Sequence, residues 1–323
     1  MKIVTPLSSV ENYIPLCEAG ADNFFCGFIP YTWLKEYSNI EPMNRREFMY
    51  SSNICSLDDM IILKKMIEKY GVPVKIALNS HYYLESQYKI LLPIIMQLME
   101  IGFDTFIIAD IALIIYLRSN NINCNIHLSG ETAEVNSLSI DFFNQFNISR
   151  YIFHRKNSIE DMKSCIERNK IKNLEYEAFI LNELCLYTGA FCNTLHCEEL
   201  LPACHIPQKM SRLIEDECKF SSIERALSII EKINRKSVYD NDNVYGFGKS
   251  GCGVCKIKKL KDVGITYLKV VGRGKKLEHL IEDIKILRQM CNAADRISDI
   301  NEFEREIKVD YLENKCSGFC YYL

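Results

Sequence analysis

The chain has 323 residues, 48% of them hydrophobic and 25% charged, enough to bury one large core or two modest ones. A net charge of only -3, with no long run of like charge, argues against a dominant nucleic-acid footprint or a polybasic membrane contact. The apolar runs "ILLPIIMQLM" and "IALIIYL" fall short of the ~20 residues of a membrane helix, so no membrane insertion and a cytoplasmic location are expected.

Short β-rich apolar runs alternate with stretches of helical period along most of the chain. The strands predicted in order are residues 2–7, 23–28, 74–80, 105–110, 125–130, 150–155, 176–181 and 267–273. Between them, "VENYIPLCEAG", "LDDMIILKKMIEKYG", "QYKILLPIIMQLMEIG", "ALIIYLRSN", "VNSLSIDFFNQF" and "IEDMKSCIERN" return apolar residues every three or four positions. "KLEHLIEDIKILRQMC" follows the last strand. Ser56 and Ser158 are expected N-caps, and Gly20, Gly71 and Gly102 are expected helix stops. Eight strands joined by helices predict an α/β fold, a TIM-type (β/α)8 barrel. The barrel is assigned to residues 1–294, with a cysteine-rich insertion at 182–262 between strands seven and eight and a C-terminal tail at 295–323. A second long connection, 29–55, contains "NRREF".

Active sites of such barrels form at the C-terminal ends of the strands. That rule selects Asn79, His81, Asp110, His127, Glu131, His154, Arg155, Glu177, Lys269 and Arg273, though a lone barrel histidine or carboxylate is more often scaffold. Fifteen cysteines, an odd number, in a reducing compartment point to metal or redox chemistry rather than a disulfide framework. Cys17, Cys165 and Cys291 read as core packing. Cys185 and Cys192 form a C-x6-C pair at the end of strand seven, with Cys197 and Cys204 further on, and Cys252 and Cys255 form a C-x2-C pair near the insertion's far end. Four thiolates suit tetrahedral zinc or an iron–sulfur cluster, and His196 admits a Cys3His zinc site. Cys316 and Cys320, in "CSGFCYYL", read as a redox pair, a further ligand set or part of a loosely ordered tail.

Four segments together resemble the collagenase-like peptidases of family U-32. "EAGADNFFCG" (18–27) is similar to its opening element, "IHLSGETAEVN" (126–136) to its H-x-S-T strand, "YEAFILNELCLYTGAFC" (176–192) to its E-x-F…C-x6-C signature, and "GITYLKVVGRG" (264–274) to its closing G-R element. The likeness runs from residue 2 to about 290, and Gly130 and Glu131 stand where the family has Thr and Gln.

The resemblance implies a TIM-like barrel with a 4Fe-4S cluster on four cysteines. Cys185 and Cys192 match the signature pair, Cys252 lies at the family's distance before the final element, and Cys204 and Cys255 compete for the remaining position. It implies an iron–sulfur oxidoreductase, an anaerobic enzyme of oxygen-independent hydroxylation acting on a small molecule, RNA base or peptide. His127 and Glu177 are then acid–base candidates, and Lys269 and Arg273 anion-binding ones. Alternatives are a peptidase or other hydrolase, with zinc in place of iron, and a non-catalytic iron–sulfur subunit beside a partner. Neither H-E-x-x-H nor G-x-S-x-G occurs in the chain.

Overall fold

A computed structural model describes residues 1–38, 43–45, 52–132, 135–171, 173–182, 184–185, 192, 245–312 and 316–322. The chain divides into two units, Met1–Asn193 with Gly248–Leu323, and Thr194–Phe247. The barrel belongs to the first.

Nine strands are described: β1 (Lys2–Pro6), β2 (Asn23–Phe28), β3 (Asn53–Ile54), β4 (Val74–Leu78), β5 (Thr105–Ile108), β6 (Asn125–Leu128), β7 (Ile148–Ile152), β8 (Glu175–Leu181) and β9 (Tyr267–Val270). All pair in parallel, and β1 hydrogen-bonds both β2 and β9, which closes eight of them into the expected barrel. β3 lies outside the ring as a two-residue addition to β2, with Gly27 opposite Asn53. It falls in the connection read from sequence as a plain excursion, which also holds a short helix, α2 (Tyr31–Tyr37). That helix buries Trp33 against Tyr37 and Tyr83.

The other helices are α1 (Tyr13–Ala19), α3 (Leu57–Tyr70), α4 (Glu85–Ile101), α5 (Ile111–Ser119), α6 (Ser137–Asn144), α7 (Ile159–Arg168), α8 (Ile257–Asp262), α9 (Leu277–Arg296) and α10 (Ile300–Glu306). Their ends follow the expected signals. Ser56 Oγ accepts from the amides of Asp58 and Asp59, and Ser158 Oγ accepts from Asp161. Gly20, Gly71 and Gly102 close α1, α3 and α4 at φ of 109°, 78° and 109°, where a side chain would be strained.

Parallel strands covered by helices must be apolar outward, and Ile3, Phe24, Ile76, Phe106, Ile126, Ala178 and Leu268 are buried there. Tyr151 joins this outward set, its hydroxyl donating to the Ile140 carbonyl of α6. Cys165 and Cys291 are buried and Cys17 half-buried, in keeping with a packing role.

The C-terminus is part of this unit and does not trail from it. Phe303 and Ile307 are fully buried, as are most of Tyr321 and Tyr322. The Tyr322 hydroxyl donates to Phe179 O at 2.6 Å and that of Tyr321 to Asn182 O, so the tail is pinned to the end of β8. No helix among the described residues is long and apolar enough to cross a membrane.

Candidate functional site

Alternate strand positions point into the barrel, and here they carry charge. Glu177 of β8 accepts from Lys269 Nζ of β9 and from Arg150 Nη1 of β7, each at 2.8 Å. Arg150 also donates to Glu175 Oε2 at 3.0 and 2.8 Å, and its guanidinium lies 3.4 Å over the Tyr267 ring. Lys269 Nζ stands 4.0 Å over Phe25. Glu177 is only 1% exposed. Burial pushes its carboxyl up, but Lys269 and Arg150 outweigh burial and hold it below the usual carboxylate range. Desolvation lowers Lys269, against the pull of Glu177.

His127 of β6 faces the same lumen. Burial, then the charges of Arg150, Lys75 and Lys269, hold it well below its ordinary value, so its imidazole is neutral at neutral pH. Its Nδ1 is buried without a hydrogen-bond partner. Three of the four residues predicted for chemistry, His127, Glu177 and Lys269, thus share one closed interior. Sequence reasoning missed its centre, Arg150, which sat at the edge of a strand predicted to begin there.

A second cluster forms above it, on the loops. Glu131, after β6, accepts from Arg155 Nη1 at 2.8 Å, and its other oxygen lies 3.9 Å from both Arg45 Nε and His81 Nε2. Arg45 Nη1 is 3.4 Å from His81 Nδ1, and Arg45 Nη2 donates to Cys192 Sγ at 3.5 Å. The Arg155 guanidinium lies 4.2 Å over the Phe179 ring. Burial raises the Glu131 carboxyl, but Arg155, His81 and Arg45 together hold it well below the usual range. His154, buried beside this cluster, is pushed down to about 4 by desolvation, against the opposing charge of Glu131. A cleft of about 250 Å³ opens here, lined by His81, Tyr82, Ala109, Asp110, Ile111, Glu131 and Thr132. Asp110 helps shape it, accepting from the amides of Tyr83 and Ala112. Arg45 comes from the "NRREF" excursion, and no spacing in the sequence ties it to residue 131.

Arg273, just past β9, is 5% exposed and donates from Nη1 to Asn44 Oδ1 at 3.0 Å and Asn53 Oδ1 at 3.4 Å. A Cβ on Gly27 would collide with Asn53 Oδ1 and reach within 2.5 Å of Arg273 Nη1, which accounts for glycine there. This arginine therefore braces β3 and the excursion against β2.

The insertion leaves and re-enters the barrel at one place. Asn182 N donates to Gly251 O at 2.8 Å, Leu184 N to Ser250 O at 2.7 Å and Gly253 N to Ile180 O at 2.9 Å. Cys185 is thereby held just beyond the end of β8, and Cys192 is buried beside Arg45. Cys252 is buried in an antiparallel bridge to Leu181, with Cys255 on the turn that follows. Cys204 lies outside the described residues, as do Cys197 and His196. Among the described residues no three His, Cys, Asp or Glu side chains are already gathered around one point as ligands for an ion.

The model of peptidase family U32 matches residues 8–322. Among curated proteins, the chain is similar to tRNA hydroxylation protein P of Haemophilus influenzae, 27% identical over 189 residues, 58% of this chain and 37% of that protein. The match thus spans little more than a third of that relative's length. It is 22% identical to tRNA hydroxylation protein P of Escherichia coli, covering 91% of this chain and 68% of that one. It is 21% identical to tRNA hydroxylation protein P2 of Bacillus subtilis, covering 97% and 92%. Among solved structures, the U32 peptidase Mk0906 aligns with a TM-score of 0.45 at 11% identity, over 84% of this chain and 93% of that one.

Proposed function

The chain belongs to peptidase family U32, and from that premise we propose that it is an iron–sulfur enzyme of the tRNA-hydroxylation kind, adding a hydroxyl group to an RNA base without molecular oxygen. One observation carries the reading: likeness over 91% and 97% of the chain to two proteins named for tRNA hydroxylation.

The rim suits this chemistry. A cluster held by thiolates is anionic, and the rim thiol Cys192 accepts a hydrogen bond from the Arg45 guanidinium. In this proposal the ligands come from Cys185, Cys192, Cys204, Cys252 and Cys255, and the cluster supplies one-electron transfer at the barrel mouth. Glu131 is the anion between the two arginines, fixing both side chains and leaving His81 facing the cleft. A flipped base is the kind of flat, polar ligand that cleft would take, with His81 on its wall as a hydrogen-bond partner. Glu177, Lys269 and Arg150 lie beneath as the charged floor of the lumen, with the neutral His127 beside them. Arg273 holds the excursion that delivers Arg45.

A peptidase is the second reading, which the family's name carries.

The test is mass analysis of tRNA nucleosides from cells lacking the gene, with and without a plasmid copy. The proposal expects a base heavier by one oxygen only when the gene is present. Identical nucleoside profiles would overturn it.

A further inference from the structure

The loop between β4 and α4 is anchored along its length and yet holds one ring out to solvent. Tyr83 N donates to Asp110 Oδ2 at 3.0 Å, and the Tyr83 hydroxyl donates to Met43 O at 2.6 Å. Ser80 Oγ donates to Tyr82 O at 3.4 Å, and Leu84 N donates to Gln87 Oε1 at 2.7 Å. Tyr82, between these anchors, is 70% exposed, and its ring meets no other ring or cation among the described residues. It stands on the wall of the cleft with Ile111, itself 38% exposed. Two polar atoms of the same wall, His81 Nε2 and Thr132 Oγ1, are buried without a hydrogen-bond partner among the described residues.

A tyrosine on an anchored backbone has only two side-chain torsions left to order, so a ligand that packs on its ring sacrifices little entropy. The polar wall calls for a ligand with donors and acceptors on its edge, and the ring beside it offers a flat apolar face. Nucleotide recognition has those same two halves, hydrogen bonds to a base edge and stacking on a base face. Drawing a base out of its stack also uncovers the face of its neighbour in the strand. We propose that Tyr82 is the stacking platform for the nucleotide next to the modified one: the cleft takes the flipped base, and Tyr82 covers the neighbour it left. This deepens the proposed function and rests on RNA being the substrate. The role is one of binding and orientation, with no proton or electron passing through Tyr82. It needs the ring and not the phenol hydroxyl.

The experiment titrates anaerobically purified wild type, Tyr82→Phe, Tyr82→Ala and Tyr82→Trp with unmodified tRNA from cells lacking the gene. Tyr82→Phe keeps the stacking face and should bind within about twofold of wild type, whereas Tyr82→Ala should bind about tenfold more weakly, the loss of one stacked base. Because the ring is exposed, Tyr82→Ala should keep the melting temperature of wild type, which separates lost stacking from a lost fold. Tyr82→Trp reads the contact directly. Trp33, the one tryptophan of the chain, is fully buried, so the emission of the added indole is the part that bound tRNA should quench. Tyr82→Ala binding as tightly as wild type, or an emission that tRNA leaves unchanged, would overturn the platform and leave the RNA reading standing. Failure of wild type to bind tRNA at all would overturn both.

Discussion

Glu177 and Glu131 occupy two tiers of one barrel and are neutralised in different ways. Glu177 has both oxygens at 2.8 Å from cations on the two neighbouring strands and is 1% exposed. Glu131 has one such contact and two at 3.9 Å, on loops that border a cleft. Strands hold the Glu177 carboxylate with both oxygens engaged. A network made by loops keeps hydrogen-bonding capacity for something else. Charge alone does not mark a reactive group, and the element that carries it decides what is left over.

The comparison is broken most sharply by emptying the lower tier. Glu177→Ala leaves Lys269 and Arg150 facing each other without their shared anion, and should cost about 3–5 kcal/mol of stability in a denaturant titration. A near-neutral result would show that the lumen is wet and not a sealed network. On the upper tier, Glu131→Gln keeps the shape and one hydrogen bond for Arg155, so the expected cost is smaller, about 1–2 kcal/mol. RNA modification should fall far more than stability does, and equal losses of both would erase the distinction between tiers.

Acid sharpens it further. His127 and His154 have folded pKa values depressed below their ordinary 6.5, His154 to about 4. The unfolded chain therefore binds their protons first. Their contribution is complete above pH 6.5 and drains away as pH falls, for His154 down to about pH 4. Each proton gives a slope of about 1.4 kcal/mol per pH unit. Glu131 and Glu177 are also depressed, from 4.5, so their stabilisation persists above that value and is lost only at lower pH. His127→Asn should flatten the stability profile between pH 6.5 and 5, and an unchanged slope would place His127 in contact with solvent. The smallest effect is at the tail: Tyr322→Phe removes one buried hydrogen bond and should cost about 1 kcal/mol, leaving both tiers as they are.

Much of the barrel could be read from sequence because its rules are local. Apolar β-rich runs marked all eight ring strands, and Ser56, Ser158 and the stop glycines set helix ends through hydrogen bonds to residues a turn away. Glu131 drew notice as a departure from the family's "H-x-S-T-Q", and it became the hub of the rim. Arg45, Arg150 and the docking of Cys320 on Cys252 were hidden because each depends on a partner far along the chain. β3 was hidden because two residues carry no period.

The central claim is that sulfide-bound iron sits on the rim thiols. Mössbauer spectroscopy of the protein reconstituted anaerobically with labelled iron and sulfide, wild type against Cys185→Ala/Cys192→Ala, tests it most directly. The account predicts the signature of a cubane cluster in the wild type and its disappearance in the double variant. A wild type without sulfide-bound iron, or a variant spectrum that matches it, would contradict the account.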